Sequence, residues 1–496
     1  MLNNRYSTQV AHRRILISVH GRQVMARVAG SGPAVLALHE SPRSSHSLLP
    51  LIDALAHRYT VIALDTPGYG ESDALESPRP EASDFVSVIG GVLDALQIRK
   101  VLLYGTHTGA ALAVSFALAH PQRVAALALD GFAAFDAEEQ RDFNDRYLCP
   151  FEPSWDGSHL AQLWSRVRDL YMWFPYHQRD AAHRLQTELP SVGALYGTVR
   201  GFLASGAGYW RGYRCAGAID APAAAQALRV PTLLTARPHD LIAAHLQRIQ
   251  PTSFVRVQSL GPSIEEWARS IDAHFASHES DIALVSRGSG ERCLAYAGQG
   301  ALHFRRIEGS GRPTVIIPDL PTGAIDDSSI SERPRWVIDP PGCGHSDPLV
   351  SGGESIGDWV APIVQLLAEQ GVDSYDVTGS GFGAVFARRL AALDSRARLA
   401  SLQAEPVWSA TTLSAPRERL IPKPWADPDG GALFSTWYRL RDLRYYDDVE
   451  QGIPRSRRES AVSEFNTQRL YAAHKGLWLA PESSDLITAL QASCSK

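Results

Sequence analysis

The chain repeats itself, and this self-similarity constrains the fold before any helix or strand is assigned. Gly30-Ser31-Gly32 recurs as Gly309-Ser310-Gly311, 279 residues on. Asp65-Thr66-Pro67-Gly68-Tyr69-Gly70-Glu71-Ser72-Asp73 recurs as Asp339-Pro340-Pro341-Gly342-Cys343-Gly344-His345-Ser346-Asp347, 274 on. Gly105-Thr106-His107-Thr108-Gly109 pairs with Gly379-Ser380-Gly381-Phe382-Gly383 at the same offset, and residues 164–170 pair with 437–443 at 273. Four collinear matches point to a tandem duplication. The expected domains are 1–288, with a helical insertion at about 138–222, and 289–496. They join in Ser286-Arg287-Gly288-Ser289-Gly290-Glu291-Arg292, a stretch with a linker's glycine and serine content.

Each half is long enough to bury its own core, and 45% hydrophobic with 20% charged residues excludes disorder. A formal charge of -5 without a long basic run argues against nucleic acid or an anionic membrane as main partner. The expected partner is a small-molecule substrate or ligand. The two halves are expected to pack on each other intramolecularly, and the oligomeric state stays open. The five cysteines are scattered without C-x-x-C spacing, and His177, His183 and His239 lack the spacing of metal ligands. No metal and no cofactor is implied. Residues 1–14 hold no apolar signal core and no run of 18 apolar residues occurs, so the expectation is a cytoplasmic protein with reduced thiols.

In the first half, short apolar runs at 35–38, 61–64, 101–104, 124–129 and 232–235 read as buried parallel strands. Amphipathic segments at 48–56, 85–96 and 110–119 lie between them and read as helices. This alternation is the βαβ rhythm of a doubly wound α/β sheet. Residues 138–222 break the rhythm and are rich in Trp, Tyr and Phe, as a helical lid would be.

With these segments in place, the chain resembles the α/β-hydrolase fold family. Leu38-His39-Glu40-Ser41-Pro42-Arg43 is similar to its oxyanion-loop segment, and 65–73 to its D-x-x-G-x-G-x-S signature. Gly105-x-His107-x-Gly109, after a strand and opening a helix, sits where the family carries its nucleophile elbow. Residues 231–240 are similar to the strand and loop that present its acid. The resemblance implies two tandem α/β-hydrolase-like doubly wound sheets with helical cap insertions, the second truncated. It implies an oxyanion and substrate site at His39, Ser41, Arg43 and the Thr108 N–H, while the aromatic cluster of the insertion, with Trp173 and Tyr176, either lines an apolar substrate pocket or is ordinary core. It also implies an acid at Asp240, or alternatively at Asp130, with Glu405 nearest the matching position of the second half.

The departures from the family pattern bear on chemistry. His107 stands where Ser, Asp or Cys is usual, and the loop 260–263 has no histidine where the family places its base, so a Ser-His-Asp triad is absent. Histidine tolerates the positive φ of a tight strand-to-helix turn better than most side chains. His107 can act as general acid or base, leaning toward Asp240, or as a nucleophile, or it can be a hydrogen-bonded space filler in a dead site. Glu40 replaces the usual glycine, and either joins the chemistry or pairs with Arg43. Asp240 either orients His107 or caps the helix that starts near Leu241. His39 is expected to hold loop geometry.

At the second elbow Gly381 offers no functional group, so that half is expected to be inactive. It also ends before the acid-bearing strand would begin, leaving a sheet edge to be covered. Three readings follow: a triad-less hydrolase or lyase using His107 on a small, fairly apolar carbonyl, ester or epoxide-like substrate; a ligand-binding or sensor protein without chemistry; and a scaffold of two interaction modules.

Overall fold

The computed structural model describes residues 10–186, 188–284, 292–296, 300–318, 332–349, 353–403, 427–442, 446–448, 453–454 and 466–479. Glu405, Cys494 and most of the expected linker lie outside them.

Runs that are apolar at every position need cover on both faces, and five such runs form the middle of an eight-stranded sheet. Its strands are β1 (Arg13–Val19), β2 (Arg22–Ala29), β3 (Ala34–Leu38), β4 (Thr60–Leu64), β5 (Val101–Thr106), β6 (Val124–Asp130), β7 (Thr232–Ala236) and β8 (Val255–Ser259). They run in the order β1-β2-β4-β3-β5-β6-β7-β8. The β1–β2 hairpin and the β2–β4 pair are antiparallel, and all other neighbours are parallel. Strands β3 to β7 are buried along their whole length. The five expected strands are all present. The amphipathic β1 and β2 and the polar edge strand β8 lack a continuous apolar run, and so escaped that criterion.

The helices are α1 (Leu49–Leu55), α2 (Ala82–Ala95), α3 (Thr108–Ala119), α4 (Ala137–Asp142), α5 (Ser158–Asp169), α6 (Val192–Ser205), α7 (Trp210–Gly217), α8 (Ala221–Ala227) and α9 (Ile264–Phe275). Alternate residues of one strand serve opposite layers. Leu36 and Leu103 join Phe85, Val92, Leu112 and Val114 of α2 and α3 in one core, while Val35 and Leu102 join Ile52, Trp267 and Phe275 of α1 and α9 in the other. Helices α4 to α8 all fall between β6 and β7, where the helical insertion was expected.

The second sheet consists of β9 (Arg292–Tyr296), β10 (Ala301–Ile307), β11 (Thr314–Ile317), β12 (Arg335–Ile338), β13 (Tyr375–Ser380) and β14 (Ala397–Gln403), in the order β9-β10-β12-β11-β13-β14. This is the order of the first six strands of the first sheet. Among the described residues no strand follows β14 in it. The helices of this part are α10 (Ile356–Glu369), α11 (Phe382–Leu393), α12 (Gly431–Asp442) and α13 (Thr467–Leu479). An α/β architecture with a second, shorter sheet is therefore what the described residues adopt.

The chain divides into two compact units: residues 1–151, 166–190 and 204–289 form one, and residues 152–165, 191–203 and 290–496 the other. The break at 289 adjoins the expected boundary. The departure from a linear cut lies in the two insertion segments, which group with the C-terminal residues because aromatic side chains of α12 and α13 pack on them, as in the 5.2 Å stack of Tyr196 on Trp478.

Candidate functional site

The site is built on the turn between β5 and α3. Helix α3 can approach the sheet this closely only because the elbow is flanked by glycines. A Cβ on Gly105 would lie 2.4 Å from the Gly109 carbonyl oxygen, and one on Gly109 2.2 Å from that of Leu38. Between them His107 adopts φ 49° and ψ -113°, a left-handed conformation that lifts its side chain off the end of the strand. Its backbone N–H donates to the Asp130 carbonyl at 3.0 Å. The imidazole remains 37% exposed and is thus accessible to a ligand.

His107 Nε2 lies 2.9 Å from Asp240 Oδ2. The other oxygen of Asp240 accepts the Ile242 N–H at 3.0 Å, so this carboxylate both orients the imidazole and caps the turn after β7. The helix cap expected of Asp240 is not made, because the next helix begins at Ala243 with Ile242 as its N-cap and no side-chain cap; the second oxygen instead holds the turn before it. Gly131, at φ 65°, is the residue that sequence reasoning missed: a Cβ there would fall 2.6 Å from Asp240 Oδ2 and 2.8 Å from His107 Nε2. The Asp130-Gly131 pair at the end of a buried strand was its only sequence signal.

Electrostatics set the protonation state. Burial pushes the His107 pKa down, but the charge and hydrogen bond of Asp240, with Glu40 and Asp130 behind it, outweigh burial and raise it to about 9. Burial alone would raise Asp240, yet His107, the Ile242 N–H and Arg237 bring it below the usual carboxylate range. Asp130 is buried and goes the other way: burial raises it, the Arg237 guanidinium opposes, and Asp240 adds repulsion. Arg237 Nη2 stands 3.7 Å from Asp130 Oδ2, and the hydroxyl of Tyr104 donates to the same oxygen at 3.4 Å. At neutral pH the pair is thus an imidazolium on a carboxylate. It can donate a proton, and it has no lone pair for attack.

The remaining expected residues separate into those beside the pair and those in supporting roles. His39 is 1% exposed; its Nε2 accepts the Thr66 N–H at 3.0 Å, which leaves Nδ1–H to donate to the Glu40 carbonyl at 2.8 Å. It holds the loop, as expected. Glu40 lies 3.5 Å from Arg43 Nε and accepts from Ser47 Oγ at 2.9 Å, while Arg43 also reaches the Tyr171 hydroxyl at 3.5 Å. The Ser41 N–H donates to Thr108 Oγ1 at 2.6 Å, and that hydroxyl donates to Ser41 Oγ at 3.1 Å. A donor that the fold resemblance assigns to an oxyanion is therefore bonded within the protein.

Tyr176 is 8% exposed, with Tyr147 5.2 Å from its ring and the Arg166 guanidinium 4.8 Å over it. Trp173 pairs in an isolated bridge with Arg184. The loop after β8 carries Ser263 as the N-cap of α9 and no histidine. The cap is tied to the 65–73 loop by Tyr69, whose hydroxyl donates to the Tyr209 carbonyl at 2.5 Å and accepts the Gly212 N–H at 3.0 Å. Among the described residues no cluster of three or more potential ligands could hold a metal ion, and no helix is long and apolar enough to cross a membrane.

Residues 33–170 match the family model described as the alpha/beta hydrolase fold. A haloalkane dehalogenase from Mesorhizobium japonicum is 40% identical over 120 residues, 23% of this chain and 37% of that protein. An epoxide hydrolase 2 from Siraitia grosvenorii is 35% identical over 153 residues, 27% of this chain and 46% of that one. The chain spans less than half the length of these curated relatives. A solved epoxide hydrolase A from Mycobacterium thermoresistibile aligns over 55% of this chain and all of its own, with 18% identity and a TM-score of 0.42.

Proposed function

We propose that this chain, whose residues 33–170 match the alpha/beta hydrolase fold model, retains that fold's site for a small molecule and replaces the triad by a His107–Asp240 proton-transfer pair. The observation that carries this is the 2.9 Å contact between an accessible imidazole at the elbow and a carboxylate that keeps it protonated. An imidazolium at neutral pH acts as a general acid. The Nδ1–H left over from the bond to Asp240 donates to a substrate oxygen as its C–O bond opens. Water supplies the nucleophile, loses a proton to solvent, and solvent re-protonates the ring. A small, fairly apolar carbonyl, ester or epoxide-like compound fits this chemistry. The raised pKa argues against the nucleophilic variant.

A second reading, ligand binding without turnover, is supported by the Ser41 N–H being bonded to Thr108 and by the missing loop histidine. One screen separates the two. Purified wild type and His107→Ala are assayed against acyl esters, epoxides and β-dicarbonyl compounds. Turnover that the variant loses supports the enzyme, and saturable binding with no turnover in either protein supports the binding module.

A tandem duplication accounts for the second half, and matching hydrogen bonds support it. Ser72 Oγ donates to the Asp65 carbonyl at 2.7 Å and accepts the Met25 N–H, as Ser346 Oγ donates to that of Asp339 at 2.6 Å and accepts the His303 N–H. Gly381 has φ 53° and ψ -127°, close to His107. The second elbow is thus the first with its functional group removed, and 289–496 has a supporting role.

A further inference from the structure

Helix α12 begins 273 residues after α5, and both have 12 residues. Immediately before them stand Asp156-Gly157 and Asp429-Gly430, again 273 apart, each glycine at strongly positive φ, 77° and 82°. These glycines are the seats of an exchange. A Cβ on Gly157 would lie 2.9 Å from Cδ1 of Trp437, and a Cβ on Gly430 2.7 Å from Cγ of Trp164. Trp164 and Trp437 are themselves equivalent residues of the repeat. Each copy therefore inserts its tryptophan against the other copy's glycine, where no larger residue fits.

The surrounding contacts continue the pattern. Trp437 Nε1 donates to the Trp155 carbonyl at 3.0 Å, and the Tyr438 hydroxyl to that of Asp156 at 3.0 Å. Tyr196 of α6 packs on Trp164 at 4.7 Å and stacks on Trp478 of α13, while the Tyr471 hydroxyl donates to the Leu203 carbonyl at 2.8 Å. Trp437, Trp478 and Tyr196 are all buried. A reciprocal contact in which residue i of one copy meets residue j of the other, and j meets i, is the signature of a two-fold homodimer interface. Here both copies belong to one chain.

We infer that helices α12 and α13 act as a built-in second cap: on α5 and α6 they take the seat that the cap of a second copy would take in a homodimer, and by filling it they hold those helices in place. This gives the second half a task that does not need the functional group its elbow lacks.

The test is amide hydrogen exchange on full-length wild type and on Trp437→Ala, with the reciprocal Trp164→Ala alongside. Trp437→Ala should speed exchange in residues 158–165 and 192–203 by about tenfold or more and leave β5 and β6 unchanged; Trp164→Ala should do the same to 431–442. Should either alanine variant unfold the whole chain, Trp437→Phe, which keeps an aromatic ring in the glycine seat, is expected to give a smaller rise confined to the same helices. Unchanged exchange in 158–165 and 192–203 in a folded Trp437 variant overturns the inference. So does a wild type whose protection there falls on dilution, because the seat would then be filled by another chain.

Discussion

Strands β6 and β14 hold the same place in the two sheets, each beside the strand that leads into an elbow, yet they live in different surroundings. Strand β6 lies between β5 and β7 and is buried at all seven positions, and its sequence Val-Ala-Ala-Leu-Ala-Leu-Asp is apolar until the last residue. Among the described residues strand β14 ends its sheet, and Arg398, Leu399, Ala400 and Ser401 are exposed. Its sequence is adapted to that position. Arg398 makes two bonds of 2.9 Å to the buried Asp376, which Arg312 Nε also approaches at 3.0 Å. A charged side chain on an edge strand discourages pairing with another chain. In the first sheet the position of Asp376 is Leu102, wholly buried in the core with α1 and α9. At matching backbone positions, one sheet thus carries a buried leucine and the other an ion-paired aspartate. The same strand order and elbow geometry are compatible with different side chains at this position.

The largest effect should separate the two elbows. If turnover is found, His107→Ala should lower it by roughly 10²- to 10⁴-fold, the range of a positioned acid or base. Gly381→Ala should leave turnover unchanged, although at φ 53° it strains the backbone by about 1–3 kcal/mol. Equal losses in both variants would break the contrast between an active and an inert copy.

A second contrast is in stability. Leu127 of β6 is 0% exposed and Leu399 of β14 41%. Leu127→Ala should cost about 2–5 kcal/mol in urea unfolding, against about 0.5 kcal/mol or less for Leu399→Ala. A large loss at Leu399 would mean that the edge of the second sheet is covered.

Titration sharpens the comparison further, because only the first elbow carries an ionisable group. His107, raised from 6.5 to about 9, contributes stability that is fully present below pH 6.5 and lost as the pH rises through about 9. In Asp240→Asn the NMR midpoint of His107 should drop toward or below 6.5, since burial then acts with less opposition, and the high-pH limb of any activity profile should move with it. An unchanged midpoint would remove Asp240 from the pair.

The smallest expected effect concerns the C-terminal helices. Burial lowers His159 to about 4 and His474 to about 3, so both are neutral when folded. Their contribution is intact above pH 6.5 and declines as the pH falls toward those values. Tryptophan fluorescence should report loosening around Trp437, whose ring centre is 4.6 Å from that of His159, before the first sheet unfolds. Simultaneous loss of both would show that the two histidines do not weaken this region selectively.

Periodicity and turn chemistry by themselves determined the repeat, the buried strands β3 to β7, the helical insertion and the elbow glycines, while the lean of His107 toward Asp240 was one of several readings open from the fold resemblance. Each depends on local rules: an apolar run needs two covered faces, a tight turn needs glycine, and an elbow projects its central side chain. Only the tertiary structure decided how the two oxygens of Asp240 divide their work, that Gly131 must lack a side chain beside them, and that Thr108 answers the Ser41 N–H. It alone revealed the exchange of Trp164 and Trp437 between Gly430 and Gly157. These features join residues up to 280 positions apart. Their sign and strength come from burial and from the direction of single atoms, and neither is encoded in the spacing of residues along a chain.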